Sequence, residues 1–178
     1  MLNLPLYTRP IAAALAIPIL IVAGTAFTER LEEYRKLRAR AIAGLSKLKP
    51  TPSAEEIAQH QGALADRIRT ARAHTGQGNI FTPDTALQFR KQIASAMQGQ
   101  AGASIRRSLA SSAPVRMPLA VNLEYPQGIP LQTTPPTLLA NLPKLPAGFE
   151  YRVVDRNLVL LDVEANLIVD YLPDAIAP

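Results

Sequence analysis

The strongest constraint on the fold is a phrase that the chain repeats near its end. Val154-Asp155-Arg156-Asn157-Leu158-Val159-Leu160 is echoed nine residues later by Val163-Glu164-Ala165-Asn166-Leu167-Ile168-Val169. A three-residue hairpin loop is commonly a type I turn followed by a left-handed residue, and asparagine tolerates the left-handed region well. The repeat therefore predicts turns at 155–157 and 164–166, with Asn157 and Asn166 left-handed. The strands of this antiparallel meander are expected at 149–154, 158–163 and 167–172.

Alternation along the predicted strands makes both faces of the meander apolar. Phe149, Tyr151 and Val153 share one face of the first strand. A three-stranded sheet is unstable without packing partners. We therefore expect the helices or a leucine-rich segment to cover its second face.

The acids of the meander are a candidate metal site or carboxylate pair, and each also has a structural explanation. Asp155 and Glu164 fall in turns at opposite ends of the sheet, while Asp162 and Asp170 alternate out of hydrophobic strands. Carboxylates without His or Cys define a metal site poorly. We favour the structural interpretation, with a solvated edge or a partner arginine for Asp162 and Asp170.

Three helices are expected between residues 28 and 111. The first opens at Thr28 and stops before Pro50, the second has a capping box of Ser53 and Glu56, and the third has Thr82 as cap before a proline. The first two should form an antiparallel hairpin. Each helix has one apolar stripe at spacings of three and four residues. The stripes are Tyr34, Leu37, Ala41, Leu45 and Leu48 on the first helix, Ile57, Leu64, Ile68 and Ala71 on the second, and Ala86, Phe89, Ile93 and Met97 on the third. Residues 103–112 are expected to add another turn or two after a glycine-weakened break.

Prolines concentrate in the segment 112–147, which predicts extended chain rather than helix. This segment is either a linker or an arm along the domain surface. Its leucines and valines favour the arm, because a free linker is usually more polar. The stretch 137–142 is short enough for one helical turn between prolines.

The amino-terminal segment 1–27 has the outline of an export signal. Arg9 precedes an uncharged run from Pro10 to Phe27, and small residues at Gly24 and Ala26 predict cleavage before Phe27. The run is also about as long as the shortest membrane-spanning helices, roughly 17 residues. An uncleaved anchor and a buried structural helix are the alternatives, and the arginines that follow the run fit the positive-inside rule poorly for an anchored body outside the cytoplasm.

Positive charge is concentrated in the first 107 residues, which hold 15 Lys and Arg against 7 Asp and Glu. A cationic stretch that directly follows an apolar segment predicts contact with anionic lipid. The residues expected to make it are Arg30, Arg35, Lys36, Arg38 and Arg40. The arginines of the second helix have no aromatic interleaving, so nucleic acid is not expected as a partner.

No catalytic, cofactor or metal residues are predicted. Cysteine is absent, and His60 and His74 are fourteen residues apart, about 21 Å on a continuous helix. A nucleophile–base pair is therefore not placed by the sequence, and we expect a protein that is not an enzyme.

The stretch LPAGFEYRVVDRNLVLLDVEANLIVDYL, within residues 142–172, resembles the carboxy-terminal hairpin module of small exported proteobacterial proteins. Periplasmic nickel/cobalt-homeostasis proteins of the RcnB type and related uncharacterised families carry such a Leu-Pro and Tyr-Arg-Val-Val ending. The resemblance implies an exported location. This chain has fewer histidines and aromatics before the hairpin than the metal-homeostasis proteins.

The expected fold is α+β, with a signal or anchor (1–27), a helical region (28–111), a proline-rich arm (112–147) and a β-meander (148–173). The expected function is a non-catalytic envelope protein, in the periplasm or on the inner membrane facing it, that binds another envelope protein or a membrane assembly. Its scarce aromatics predict a small core, and one-sided helices favour surfaces meant for a partner. The alternative is a periplasmic accessory protein of nickel/cobalt homeostasis.

Overall fold

The computed structural model describes residues 20–111, 117–126 and 134–176, with side chains from Thr25 onward. The fold is α+β, as the sequence predicts, with helices preceding a three-stranded antiparallel sheet. Its elements in chain order are α1 (Leu20–Ala43), α2 (Ala54–Ala71), α3 (Pro83–Ala96), α4 (Gly99–Ser111), α5 (Pro136–Leu139), β1 (Phe149–Val154), β2 (Asn157–Asp162) and β3 (Leu167–Leu172).

The first helix differs from its prediction at both ends. It is already helical at Leu20, so Thr28 lies inside α1 rather than capping it. The expected start was wrong because no proline separates residues 20–27 from the rest of the helix. The helix ends at Ala43, seven residues before Pro50. No helix in the described ranges is long and apolar enough to cross a membrane, and residues 1–19 of the predicted signal or anchor lie outside those ranges.

The predicted caps of α2 and α3 are confirmed. Ser53 accepts a hydrogen bond from the Glu56 amide at 3.2 Å, and Thr82 accepts one from the Thr85 amide with proline in the first turn. Each cap satisfies an amide that the first helical turn leaves without a backbone partner. Local side-chain chemistry therefore fixes where these two helices begin.

A glycine break separates α3 from α4. Gly99 has φ of +60°, a left-handed conformation that ends the α3 run. Gly102 then packs so close to the preceding turn that an added Cβ would lie 1.9 Å from the Met97 carbonyl oxygen. The segment after the break forms a 13-residue helix, longer than the one or two turns expected.

The sheet is a meander in the order β1-β2-β3. Tyr151 pairs with Leu160 across β1 and β2, and Leu160 pairs with Asp170 across β2 and β3. The bounds of β1 and β3 match the prediction, while β2 begins and ends one residue earlier. A bulge after Leu160 shifts the register between β2 and β3.

The two turns of the meander follow different rules. Asn166 is left-handed at φ 51°, as predicted. In the first turn the left-handed residue is Asp155, at φ 55°, and not Asn157. Asn157 instead pairs with Val154, so the loop has two residues rather than three, and the side-chain amide of Asn157 donates to the Val154 carbonyl.

One main core joins the helices to the first face of the sheet. Phe27 of α1 packs its ring 5.0 Å from that of Phe89 and 6.5 Å from that of Tyr151. The helical stripes are largely buried in this core, although Leu48, Ile57 and Ala71, which were assigned to them, remain exposed. The core includes buried residues from all of the described helices and strands.

The arm covers the second face of the sheet, as expected. Met117, Leu119 and Tyr125 pack on a smaller cluster that contains Val159 and Ile168. The arm also forms backbone hydrogen bonds with the start of β3, where the Tyr125 amide donates to the Asn166 carbonyl. The meander thus gains the packing on both sides that three strands need.

Candidate functional site

Asp162 is fully buried and lies at the centre of a polar cluster. Its carboxylate accepts hydrogen bonds from the Tyr34 hydroxyl (2.9 Å), Arg38 Nε (2.8 Å) and the Ala165 amide (3.1 Å). Burial, and then the neighbouring Asp162 charge, raise the pKa of Tyr34 well above its ordinary value. A partner arginine, rather than a solvated edge, explains this carboxylate.

Arg38, one of the five cations predicted to contact anionic lipid, is largely withdrawn from the surface. It pairs with both Asp162 and Glu164, and its side chain is only 15% exposed. Burial alone would lower the pKa of Arg38, but the two carboxylates outweigh burial and raise it. Arg30 and Arg35 pair with glutamates on the same helix.

Asp170 holds the loop between α2 and α3. Its buried carboxylate accepts hydrogen bonds from the amides of Gly78 (3.0 Å), Ile80 (2.7 Å) and Phe81 (2.8 Å), and from its neighbour Tyr171 (2.8 Å). Converging amides stabilise a buried anion. Both oxygens of Asp162 and of Asp170 accept hydrogen bonds from donors of the fold itself, so the two acids support the fold rather than a pocket.

Arg72 ties the end of α2 to the arm and to the sheet. Its guanidinium donates to Asn122 Oδ1 (2.8 Å) and to the Val169 carbonyl (3.0 Å). The Cζ atom of Arg72 lies 4.9 Å from the centre of the Tyr34 ring. Burial lowers the pKa of Arg72, against the opposing effects of Tyr34 and Asp170. This buried cation is structural.

The histidines are separated as the sequence predicts. His60 lies within α2 and is half-buried, whereas His74 follows the helix and is exposed. In residues 20–111, 117–126 and 134–176 no group of three or more His, Asp or Glu side chains is placed to hold a metal ion.

A surface groove of about 530 Å³ runs beside β1, between that strand and the end of the arm; we call it the β1 groove. Apolar side chains supply much of its wall, and charged side chains stand at its rim. Its lining residues are Thr134, Leu139, Pro143, Lys144, Leu145, Phe149, Glu150, Tyr151 and Arg152.

Hydrogen bonds between the arm and β1 fix the shape of this groove. The buried Thr134 hydroxyl donates to the Tyr151 carbonyl at 2.8 Å, and the Tyr151 hydroxyl donates to the Pro143 carbonyl at 3.1 Å. Burial raises the pKa of Tyr151 well above its ordinary value, so the hydroxyl stays a donor. The groove is therefore held open by contacts at both of its ends.

Charged groups at the rim give the β1 groove a positive balance. Lys144 is exposed, while Arg152 pairs with Glu150. Arg152 Nε and the Tyr125 hydroxyl, which lies near it, are buried without a hydrogen-bond partner in the described part of the chain. Unmet buried polar groups are uncommon in folded proteins, and of these two residues Arg152 lines the groove.

A second groove, of about 620 Å³, lies between α1 and α2; we call it the α1–α2 groove. It shares no lining residue with the β1 groove. Its lining residues are Leu37, Arg40, Ala41, Asp66, Arg67, Thr70 and Ala71.

The sequence did not identify either groove as a site. Thr134, Lys144 and Arg152 come from the arm and from β1, and no motif links them. The one usable signal is the leucine-rich and proline-rich composition before β1, which predicts an arm packed on the sheet. Comparisons with models of protein families, with curated proteins and with solved structures found no match.

Proposed function

We propose that this chain is a non-catalytic envelope protein that binds another protein through the β1 groove. The observation that carries the proposal is the groove itself, with an apolar wall beside a sheet edge and a positive rim. Apolar concavities with a few placed polar groups are typical of binding sites.

The apolar wall supports a protein segment as the ligand. Leu139 is 40% exposed in the groove, although it is a large hydrophobic residue. A stable interface between two globular surfaces buries about 800 Å² on each partner, more than a groove of this size offers by itself. An extended segment of the partner, lying along the groove with side chains on the apolar wall, fits better.

The burial of the helical stripes removes one reason to expect a partner. One-sided helices were expected to present apolar surface, but Tyr34, Ile68 and Phe89 are buried in the main core. The proposal therefore rests on the β1 groove and not on those stripes.

The predicted cleavage point before Phe27 lies inside α1 and next to the aromatic core. Thr25 is exposed and Ala26 half-buried, whereas Phe27 is 1% exposed in the aromatic core. Cleavage before Phe27 would thus leave this buried ring on the mature chain. An uncleaved anchor that continues α1 towards the amino terminus is the alternative form of the same envelope protein.

Photo-crosslinking in a Gram-negative host that carries the partner tests the proposal. A benzoylphenylalanine at position 139 should give one discrete adduct with another protein, because Leu139 lines the groove. The same residue at position 87 is the matched control, since Leu87 is 51% exposed and does not line the groove. Lys144→Glu, which reverses the rim charge, should remove the adduct. No adduct at 139, or equal adducts at both positions, would contradict the proposal.

A further inference from the structure

We propose that the α1–α2 groove binds an acidic segment of a partner protein, whose carboxylates pair with Arg40 and Arg67. This site is independent of the β1 groove, because the two share no lining residue. Its chemistry differs as well, since two arginines, two alanines and a threonine are among its lining residues.

The charges of the groove are not balanced within the described residues. Arg40 and Arg67 are both exposed, and neither forms an ion pair with an acid in the ranges that the structure describes. Asp66, the one acid of the lining, is bound at 2.8 Å by Arg69. The groove therefore keeps a positive charge, which a carboxylate ligand would complement.

The position of Arg67 depends on the residue opposite it. An added Cβ at Gly44, just beyond the end of α1, would lie 2.1 Å from Arg67 Nη1. The guanidinium thus lies against the backbone of Gly44, where an added Cβ would displace it. Ala41 and Ala71 have short side chains and line the same groove. A peptide backbone can therefore approach the floor closely while its acidic side chains reach the arginines.

A protein segment fits this groove better than a bilayer or a nucleic acid. Arg40 is thirteen residues beyond Phe27, about 20 Å along the helix. That distance exceeds the Debye length of about 8 Å at physiological salt, so a membrane at the amino-terminal end of α1 would scarcely attract Arg40. The lining contains no aromatic side chain on which a base would stack.

Fluorescence anisotropy with a dye-labelled peptide of six Glu-Ala repeats tests the proposal, with a Gln-Ala peptide as the uncharged control. We expect the purified protein to bind the acidic peptide and not the control peptide. Combined Arg40→Gln and Arg67→Gln should weaken binding about five- to tenfold, the size expected for losing two exposed charge pairs.

Two further variants separate the groove from net charge. Combined Lys91→Gln and Arg107→Gln remove the same charge from exposed positions on α3 and α4, and should change binding less than twofold. Gly44→Ala keeps every charge but displaces the Arg67 guanidinium, and should weaken binding at least threefold. Circular dichroism should confirm that all variants stay folded.

Equal weakening by the two double variants would overturn the proposal, because it would reduce the effect to overall charge. Unchanged binding in Gly44→Ala would also contradict it. A third contrary result is specific to lipid. If phosphatidylglycerol vesicles bind through Arg40 and Arg67 while the acidic peptide does not, the groove recognises a bilayer and not a protein segment.

Discussion

Asp170→Asn should destabilise the protein by about 3 kcal/mol, although the substitution changes almost no volume. The carboxylate is fully buried and accepts hydrogen bonds from the amides of Gly78, Ile80, Phe81 and Tyr171. Each oxygen of the carboxylate accepts from two amides. An asparagine keeps one of these oxygens and replaces the other by an NH₂ group, which cannot accept from the two amides that face it. Hydrogen bonds to a charged group contribute about 1.5–3 kcal/mol each, so losing two costs about 3–6 kcal/mol, offset in part because a buried charge is removed.

Urea unfolding followed by circular dichroism measures this loss. Asp174→Asn is the matched control, because Asp174 pairs with Arg156 at 2.9 Å but is 71% exposed. The control should cost less than about 0.5 kcal/mol, as exposed ion pairs usually do. Hydrogen exchange of the Gly78 and Ile80 amides should accelerate in Asp170→Asn alone. If both variants lose the same small free energy, Asp170 does not hold the α2–α3 loop.

Four other changes have definite expected outcomes. Raised pKa values of Tyr34 and Tyr151 mean that the unfolded chain loses their protons first, so stability is retained below about pH 10 and falls above it. Above that pH the free energy of unfolding should fall by about 1.4 kcal/mol per pH unit for each tyrosine. Urea unfolding of the combined Tyr34→Phe and Tyr151→Phe variant should show a weaker dependence on pH. Gly102→Ala should destabilise the protein by more than about 2 kcal/mol, since its Cβ meets fixed backbone. Gly62→Ala, in open space on α2, should instead stabilise it by up to about 1 kcal/mol; thermal melts of both variants decide this. Phe27→Ala should cost about 3–5 kcal/mol by the same melts, because its ring is buried among three other aromatic rings.

Features set by neighbouring residues could be predicted from the sequence. Ser53 and Thr82 cap amides three residues away, and Asn166 is left-handed for a reason intrinsic to asparagine. The bounds of β1 and β3 followed from the turns that the repeated phrase predicts. The first turn was wrong because cross-strand register, and not turn composition, decided that Asp155 rather than Asn157 adopts positive φ.

Features that depend on distant residues could not be predicted. Asp162 receives its hydrogen bond from Tyr34, 128 residues away, and Asp170 binds amides about 90 residues earlier. Nothing in the local pattern separates such an acid from one at a solvated edge. The β1 groove has the same origin, since its shape depends on where the arm returns to the sheet, as in the contact of Thr134 with Tyr151.

Amino-terminal sequencing of the protein from separated fractions of a Gram-negative host tests most directly whether the chain is cleaved before Phe27 and works in the cell envelope. We expect a mature chain that starts at Phe27 in the periplasmic fraction. If Met1 is retained on a chain in the membrane fraction, the amino-terminal segment is an uncleaved anchor and not a cleaved signal. Met1 retained on a chain found only in the cytosolic fraction would contradict the proposed envelope function.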